Sequence, residues 1–497
     1  MKTLRLKYFA FILLLISISA CREEFLERPP LGSLTDGTFP ATSDEAISAT
    51  NGVYNSLRQW QINTGGFPLL DIMSDESRKG SNPGDGIQVD AFDNFSYTPS
   101  EEAIENWYRT LYQGIRRSHL VIERVPNIAD IDDALKTRLI AEARFLRGYF
   151  YSILYRGYRD VPLVTTSEAP SGLSKTAGEQ IFNNLIEPDL LFALENLPLK
   201  SDYSVEEAGR ATKGSAAGLL ARLYLFRGNF VKVEQYSLEV INSGQYSLED
   251  SFSNAFSVMG EFGPESVFEV GALPENSLDR GGNQYANTQG VRGTPNFGWG
   301  FNRPSYQWIQ FMGNDPRMEA SIFFLGEIID GETILGDGNT PDTTYVGTSN
   351  EILEIEVYNQ KVYATGEGNQ ARWGHNRRII RYSDILLMAA EAMNENNKAS
   401  MALPYLNMVR ERADAGQNIL PNITTTDKNQ LRDAILEERH RELFLEGLRF
   451  WDLVRTGRAA DVLGPLGFEE GKHEIFPMPQ SEIDISQGTI TQAPEWQ

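Results

Sequence analysis

RIIRYSDILLMAAEAMNE (Arg378–Glu395), KASMALPYLNMVRERA (Lys398–Ala413) and ILEERHRELFLEGLRFWDLVR (Ile435–Arg455) make up the longest strongly periodic stretch of the chain. In the first segment Ile385, Leu386, Ala389, Ala392 and Met393 fall on one face at helical spacing. Ala402, Leu406 and Val409 do so in the second, and Ile435, Leu443, Phe444 and Trp451 in a third helix. Each helix would leave an apolar stripe in water if it stood alone, so each predicts a packing partner. Asn396-Asn397 marks the reversal between the first two.

The same helix–turn–helix plan appears upstream. Lys213 opens KGSAAGLLARLYLFRGNFVKVEQYSLEVINSGQYSL, where Gly228-Asn229 lets one helix end and the next begin. Leu220, Tyr224, Phe230, Val233 and Val240 fit the small-and-large spacing of a tetratricopeptide unit. Further helices are predicted from Ser43 or Asp44 as N-cap, over Glu101–Val125, over 132–158 and over about 178–196. Residues 61–100 and the C-terminal stretches Ile475–Pro479 and Ala493–Trp496 read as non-helical. The fold class is therefore mainly α, with tetratricopeptide-like helix pairs forming a superhelical scaffold. Residues 250–375 interrupt it. They are rich in Gly, Asn, Asp and Thr, hold short β-like runs at Ser266–Val270 and Ile352–Val357, and read as a long irregular insert.

With 497 residues and 41% hydrophobic content, the chain suits two or three ordinary domains or one large repeat-built one. Its net charge of −23 opposes binding to nucleic acid or anionic lipid. Lys2, Arg5 and Lys7 precede an apolar run, Phe9–Ile18, that is short for a membrane span. Ile18-Ser19-Ala20-Cys21 then resembles a bacterial lipobox, which makes Cys21 the lipidation site; the plainer alternative is an ordinary signal peptide beside an incidental cysteine. Cys21 is the only cysteine, so no intramolecular disulfide forms. Residues 21–40, acidic and rich in Pro and Gly, read as an extended tether after a signal peptide over 1–20.

Catalytic signatures are missing. His119, His375, His440 and His473 are scattered, with no HExxH pair, no GxSxG and no phosphate-binding glycine loop. Glu437, Glu438 and Arg441 stand at the spacing of helix ion pairs, which makes His440 a helix-surface residue. Asp337, Asn339 and Asp342 bring calcium-type oxygens together, but off the EF-hand spacing, and read as a turn; no cofactor is called for.

Together, these features resemble the SusD/RagB family of outer-membrane nutrient-binding lipoproteins. The resemblance rests on Cys21 with Glu23-Glu24-Phe25-Leu26 and Pro29, on Ala141–Arg147 with Val161-Pro162-Leu163, and on Asn314-Asp315-Pro316-Arg317. It rests also on Arg381–Met388 with Glu391-Ala392, on Glu438-Arg439 through Glu446-Gly447-Leu448-Arg449 and Asp452-Leu453, and on Phe476-Pro477-Met478-Pro479. It implies a single α-helical domain over 41–497, display on the cell surface of the outer membrane through Cys21, and no enzyme activity. It implies a SusC-like TonB-dependent transporter as partner and an oligosaccharide as ligand. A peptide-binding receptor of the same architecture, and an adaptor that only holds proteins, are the competing readings; a glycoside hydrolase is a third.

A sugar offers apolar C–H faces and a rim of hydroxyls, which call for flat aromatic rings beside amides, carboxylates and guanidinium groups. Two loops carry that kit. DESRKGSNPGD contains Asp75, Arg78, Asn82 and Asp85 but no aromatic. NQYANTQGVRGTPNFGWGFNR contains Asn283, Tyr285, Trp299, Phe301 and Arg303. Trp60 and Trp373 lie in other irregular stretches, with Trp373 among the expected ligand contacts. The structural alternative for each ring is a packed loop core. Trp107, Tyr112 and Trp451 are core by periodicity, and Trp308 sits in a predicted short helix.

Overall fold

Helices α1 (Ser43–Leu57), α2 (Glu102–Arg124), α3 (Asp133–Tyr158), α4 (Glu187–Asn196) and α5 (Lys213–Phe226) each pack on the next, and α5 packs on α6 (Phe230–Asn242). The computed structural model describes residues 39–497 apart from 66, 169, 171, 276–279, 294, 296, 297, 330, 346, 347 and 364–372. The predicted signal peptide, Cys21 and nearly all of the tether thus lie outside the described residues. After the insert, α7 (Tyr382–Glu395) and α8 (Ala399–Asp414) form the next pair, followed by α9 (Lys428–Glu442) and α10 (Arg449–Arg455). Although about 140 residues separate them in sequence, α6 packs directly on α7. The stacking of one helix pair on the next is therefore continuous across the insert, as the repeat reading requires.

The close approach of α2 to α3 depends on Gly114. A Cβ there would lie 2.5 Å from the Phe150 ring, so any larger residue would push the helices apart. Caps start the helices where the sequence offers acceptors: Asp132 accepts the N–H groups of Ala134 and Leu135, and Asp427 those of Asn429 and Gln430.

Among the short strands of the described residues, six position the loops. They are β1 (Ser77–Gly80), β2 (Ser266–Val270), β3 (Phe301–Pro304), β4 (Ile322–Phe324), β5 (Val357–Asn359) and β6 (Arg377–Arg381). All pair antiparallel in twos: β1 with β3, β4 with β5, and β2 with β6. The β2–β6 ribbon closes the neck of the insert and leads straight into α7. A second hydrophobic cluster, with Trp308, Met312, Ile322, Val357, Phe444 and Leu445, seats the insert on the turn after α9. There the Trp308 and Phe444 rings stack 3.4 Å apart. Among the described residues no helix is long and apolar enough to cross a membrane.

Several sequence expectations need correcting. The first cap is Thr42, one residue before Ser43, because its Oγ1 accepts the Glu45 N–H. The third amphipathic segment is broken: α9 ends at Glu442, and Leu445 and Gly447 take left-handed backbone before α10 begins. Leu443 and Phe444 are buried as expected, but from a turn. Residues 61–100 include a short helix Phe67–Ile72 and strand β1. The run Ile352–Val357 splits between a strand Ile352–Ile355 and β5. Trp107, Trp308 and Trp451 are buried, whereas Tyr112 is half-buried with its hydroxyl donating to the Pro162 carbonyl.

The largest correction concerns the Glu437–Glu442 run. Glu437 pairs with Arg441 at the helix surface, at 3.3 Å. Glu438, however, points inward and is fully buried, accepting from Arg317 and Arg410 at 2.6 Å each. His440 is buried too, stacked on Phe311 at 4.5 Å, and burial followed by the Arg449 charge pushes its pKa down to about 3. Glu442 receives hydrogen bonds from Arg381, Arg412 and Arg317 at 2.9, 2.5 and 3.2 Å. Removing one member of a buried ion network leaves the others uncompensated, at a cost of about 3–5 kcal/mol. Glu442→Ala should therefore lower the unfolding free energy by about that amount, read from the urea midpoint. A change below about 1 kcal/mol would mean that water replaces the carboxylate.

Candidate functional site

The two loops selected from the sequence are hydrogen-bonded to each other. β1 and β3 pair in the register Ser77↔Pro304, Arg78↔Arg303 and Gly80↔Phe301. The ribbon continues as the Ser81 N–H donates to the Gly300 carbonyl at 2.6 Å. Gly80 sits at φ +74°, and a Cβ there would come 2.5 Å from the Gly300 oxygen, so the approach needs glycine. Asn302 pins the ribbon from inside. Its Oδ1 accepts from Ser77 Oγ at 2.6 Å, and its Nδ2 donates to Gln289 and to Asp71 at 2.8 and 3.0 Å.

Three acids just ahead of β1 hold the turn after α9. Asp71 accepts the Gly447 N–H at 2.7 Å, and Glu76 accepts the Leu445 N–H at 3.1 Å. Asp75 takes two hydrogen bonds from Arg449, both 2.8 Å. Burial raises Asp75, but these bonds and the nearby His440 and Arg449 outweigh it and hold the carboxylate below its ordinary range. Burial pushes Asp71 the other way, up to about 7, against the hydrogen bonds from Gly447 and Asn302.

The predicted contact residues separate into two groups. Asp75, Arg78, Tyr285 and Arg303 are buried. Arg78 Nη1 donates to the Ser77 carbonyl at 2.8 Å, Arg303 forms an ion pair with Glu354, and the Tyr285 ring lies parallel to His375. Asn283 is buried as well and donates its N–H to the Trp373 carbonyl at 2.9 Å, leaving Trp373 half-buried beside it. The second group reaches the surface. Trp299 is 38% exposed, while its N–H donates to the Asn287 carbonyl at 2.7 Å, so the ring stands on a fixed backbone. Phe301 is half-buried, facing Gly86. Asn82 and Asp85 are half-buried. Trp60 is also 38% exposed, at the end of a different segment.

A polar cluster that sequence reasoning did not assemble lies against the backbone of Gly300, the residue after Trp299. Arg292 bridges Asp85 and Asp337, at 2.6 Å to each, and donates to Ser81 Oγ at 2.9 Å. Asn82 Nδ2 donates to Asp337 at 3.1 Å, and its Oδ1 accepts from Thr340 Oγ1 at 3.1 Å. The backbone of Gly300, the residue after Trp299, lies against Arg292 and Ser81. The Asp337 carboxylate, considered as a calcium ligand, is engaged otherwise: one oxygen accepts the Asn339 and Thr340 N–H groups, at 2.9 and 2.7 Å, and the other serves Arg292 and Asn82. Burial raises its pKa, but these backbone hydrogen bonds and Arg292 bring it well below the ordinary carboxylate range. The Asp-x-Asn-Thr spacing was a legible turn signal; the pairing of Asn82 with Asp337, 255 residues away, was not. Chemically, the segment carries an exposed indole at Trp299 and, packed on the backbone of the next residue, a cluster of amide, guanidinium and carboxylate groups.

Comparison with known proteins follows the same architecture. Residues 264–472 match the profile described as the SusD family, and residues 72–225 one described as starch-binding associating with outer membrane. The chain is 28% identical to SusD-like protein P2 of Formosa agariphila, with 95% of this chain and 96% of the relative covered. It is 26% identical to a SusD-like protein of Bacteroides ovatus, covering 88% and 80%. Among solved structures it is similar to a laminarin binding SusD-like protein (TM-score 0.76, 27% identity, 91% and 99% covered). It is similar also to surface glycan-binding protein A from Bacteroides thetaiotaomicron (TM-score 0.75, 25% identity, 91% and 99% covered). These relatives share the tetratricopeptide-like helical scaffold.

Asp71 links the ribbon to the scaffold by accepting hydrogen bonds from Asn302 and from the Gly447 N–H. Its folded pKa lies above the ordinary carboxylate value, so its contribution to stability is complete below about pH 4 and is lost as pH rises through about 7. The thermal midpoint should therefore fall between about pH 4 and about pH 7 and level off above that. Asp71→Asn should flatten that limb, with Glu261, also held up to about 7 by burial, carrying the remainder. An unchanged slope in Asp71→Asn would show that Asp71 is ionised throughout.

Proposed function

Because the chain belongs to the SusD family, we propose that it is a surface-anchored receptor that binds an oligosaccharide and delivers it to a SusC-like TonB-dependent transporter. The observation that carries the ligand side is Trp299, an exposed indole on a hydrogen-bonded backbone, one residue before the Gly300 backbone that the Asn82–Asp85–Arg292–Asp337 cluster packs on. The ring suits the apolar face of a pyranose, and the fixed polar groups suit its hydroxyls. Trp299 and Asn82 are assigned to the ligand directly, with Phe301 and Trp373 at the margin. Asp75, Arg78, Tyr285 and Arg303 hold the loops from beneath, where burial keeps them from the ligand. The likeness to a laminarin binding protein makes laminarin oligosaccharides the first glycans to test.

The remaining parts of the reading are the processed lipid anchor and the domain plan. Residues 1–20 are the signal peptide, Cys21 carries the lipid, 21–40 form the tether and 41–497 one helical domain with its ligand-side insert. Two acyl chains bind a membrane where one is marginal. No turnover is assigned to the chain.

Two experiments test these assignments. Trp299→Ala should weaken binding of laminarin oligosaccharides by about tenfold, measured calorimetrically, with less than about 1 kcal/mol lost in stability. Unchanged affinity with a large fall in thermal midpoint would make Trp299 a packing residue; binding of peptides alone would favour the peptide receptor, and release of cleaved product would require an enzyme. Cys21→Ala should move the protein from the washed membrane fraction to the soluble fraction with its fold intact, and retention on membranes would overturn the lipid anchor.

A further inference from the structure

A cleft of about 850 Å³ opens between α1, the loop that joins α4 to α5, and β2. None of Asn82, Asp85, Arg292, Trp299 or Asp337 lines it, so it is separate from the candidate site. Its volume falls within the roughly 300–1,000 Å³ of small-molecule sites. Two carboxylates line it side by side, held by Asn376, whose N–H donates to Glu261 at 2.7 Å and whose Nδ2 donates to Glu269 at 2.6 Å. The same Glu269 oxygen accepts the Phe262 N–H at 2.9 Å. The other oxygen of Glu269, a residue only 2% exposed, has no hydrogen-bond partner among the described residues. Phe262 takes φ +54°, a left-handed backbone that a bulky residue rarely adopts. Its ring reaches the α4–α5 loop, where a Cβ on Gly209 would come 2.6 Å from it. Val205 and Leu273, 88% and 56% exposed, extend the apolar lining. Lys200 and Arg210 line the cleft too: Lys200 donates to the Gly263 and Ser266 carbonyls at 2.5 and 2.9 Å, and Arg210 pairs with Glu142 at 2.7 Å.

A buried acceptor left without a donor costs about 1–3 kcal/mol. We propose that this cleft is a second saccharide site, in which Glu261 and Glu269 accept sugar hydroxyls while Phe262, Val205 and Leu273 meet the C–H face. Three features select that class. Groups of both signs line the cleft, so charge favours neither an anion nor a cation. Carboxylate oxygens call for donors, which hydroxyls supply. The aromatic ring and the aliphatic side chains beside them call for C–H groups on the same molecule. A neutral ring compound rich in hydroxyls meets all three. The cleft shares its ligand class with the receptor reading but none of the residues assigned there, so each can fail alone.

Amide hydrogen exchange, read segment by segment by mass spectrometry, locates the ligand. Laminarin-derived or starch-derived oligosaccharides should slow exchange over 203–212 and 261–273 by about tenfold, in the unaltered protein and in Trp299→Ala alike. Val205→Cys, made in the Cys21→Ala chain and capped with a bulky maleimide, should lose that protection and keep the protection over 292–303. The uncapped variant should keep both. Protection over 292–303 alone, with both glycans, overturns the second site and leaves the Trp299 assignment standing. Protection over the cleft segments alone overturns the Trp299 assignment and leaves the second site standing. Protection at neither place overturns both, and cleft protection that survives the maleimide cap overturns the second site.

Discussion

A buried lattice of guanidinium and carboxylate groups holds the insert to the helical scaffold. Arg317, Lys361, Arg381, Arg410 and Arg412 interleave with Glu265, Asp315, Glu438, Glu442 and Glu446. Glu442 and Arg381 are almost fully excluded from solvent, so neither can lose its partners without a large desolvation penalty. Such a lattice adds little net stability over an apolar core of equal volume, but it tolerates few alternative registers. It draws ions from several distant segments: Asp315 and Arg317 from the insert, Arg381 from β6, Glu438 and Glu442 from α9, Glu446 from the following turn.

From that lattice the constraint passes outward to the loops joined by β1 and β3. Glu446 belongs to the same turn that Asp71, Asp75 and Glu76 grip through Gly447, Arg449 and Leu445. These acids precede β1, β1 pairs with β3, and β3 follows directly on Trp299. The path from helix scaffold to exposed indole therefore runs through hydrogen bonds and ion pairs with little free backbone between them.

Much of the scaffold was legible in the sequence. The turn pairs Gly228-Asn229 and Asn396-Asn397 separate α5 from α6 and α7 from α8, where period and turn chemistry place them. The motifs behind the family resemblance were legible as patterns, but their physical content was not. Asp315, Arg317, Arg381, Glu438, Glu442 and Glu446 all lie in those motifs and all enter the buried lattice. Read along one helix, Glu438 and Arg441 looked like a surface pair; in space Glu438 faces Arg317, 121 residues earlier in the chain. Helical spacing locates neighbours on the same helix and carries no information about charges arriving from elsewhere. The candidate site shows the same limit. Asp75, Arg78, Tyr285 and Arg303 have the chemistry of ligand contacts and are buried, whereas Trp299 stays exposed, with Arg292 against the backbone of the next residue.

By itself the sequence determined the helix pairs, their turns, the irregular insert and the set of residue types able to meet a sugar, because those follow from local period, backbone preference and composition. Tertiary structure alone decided which polar groups face inward and which aromatic stays exposed. That choice depends on pairings between segments hundreds of residues apart, β1 with β3 and Asn82 with Asp337, whose free energy comes from burial and mutual hydrogen bonding that no local stretch encodes.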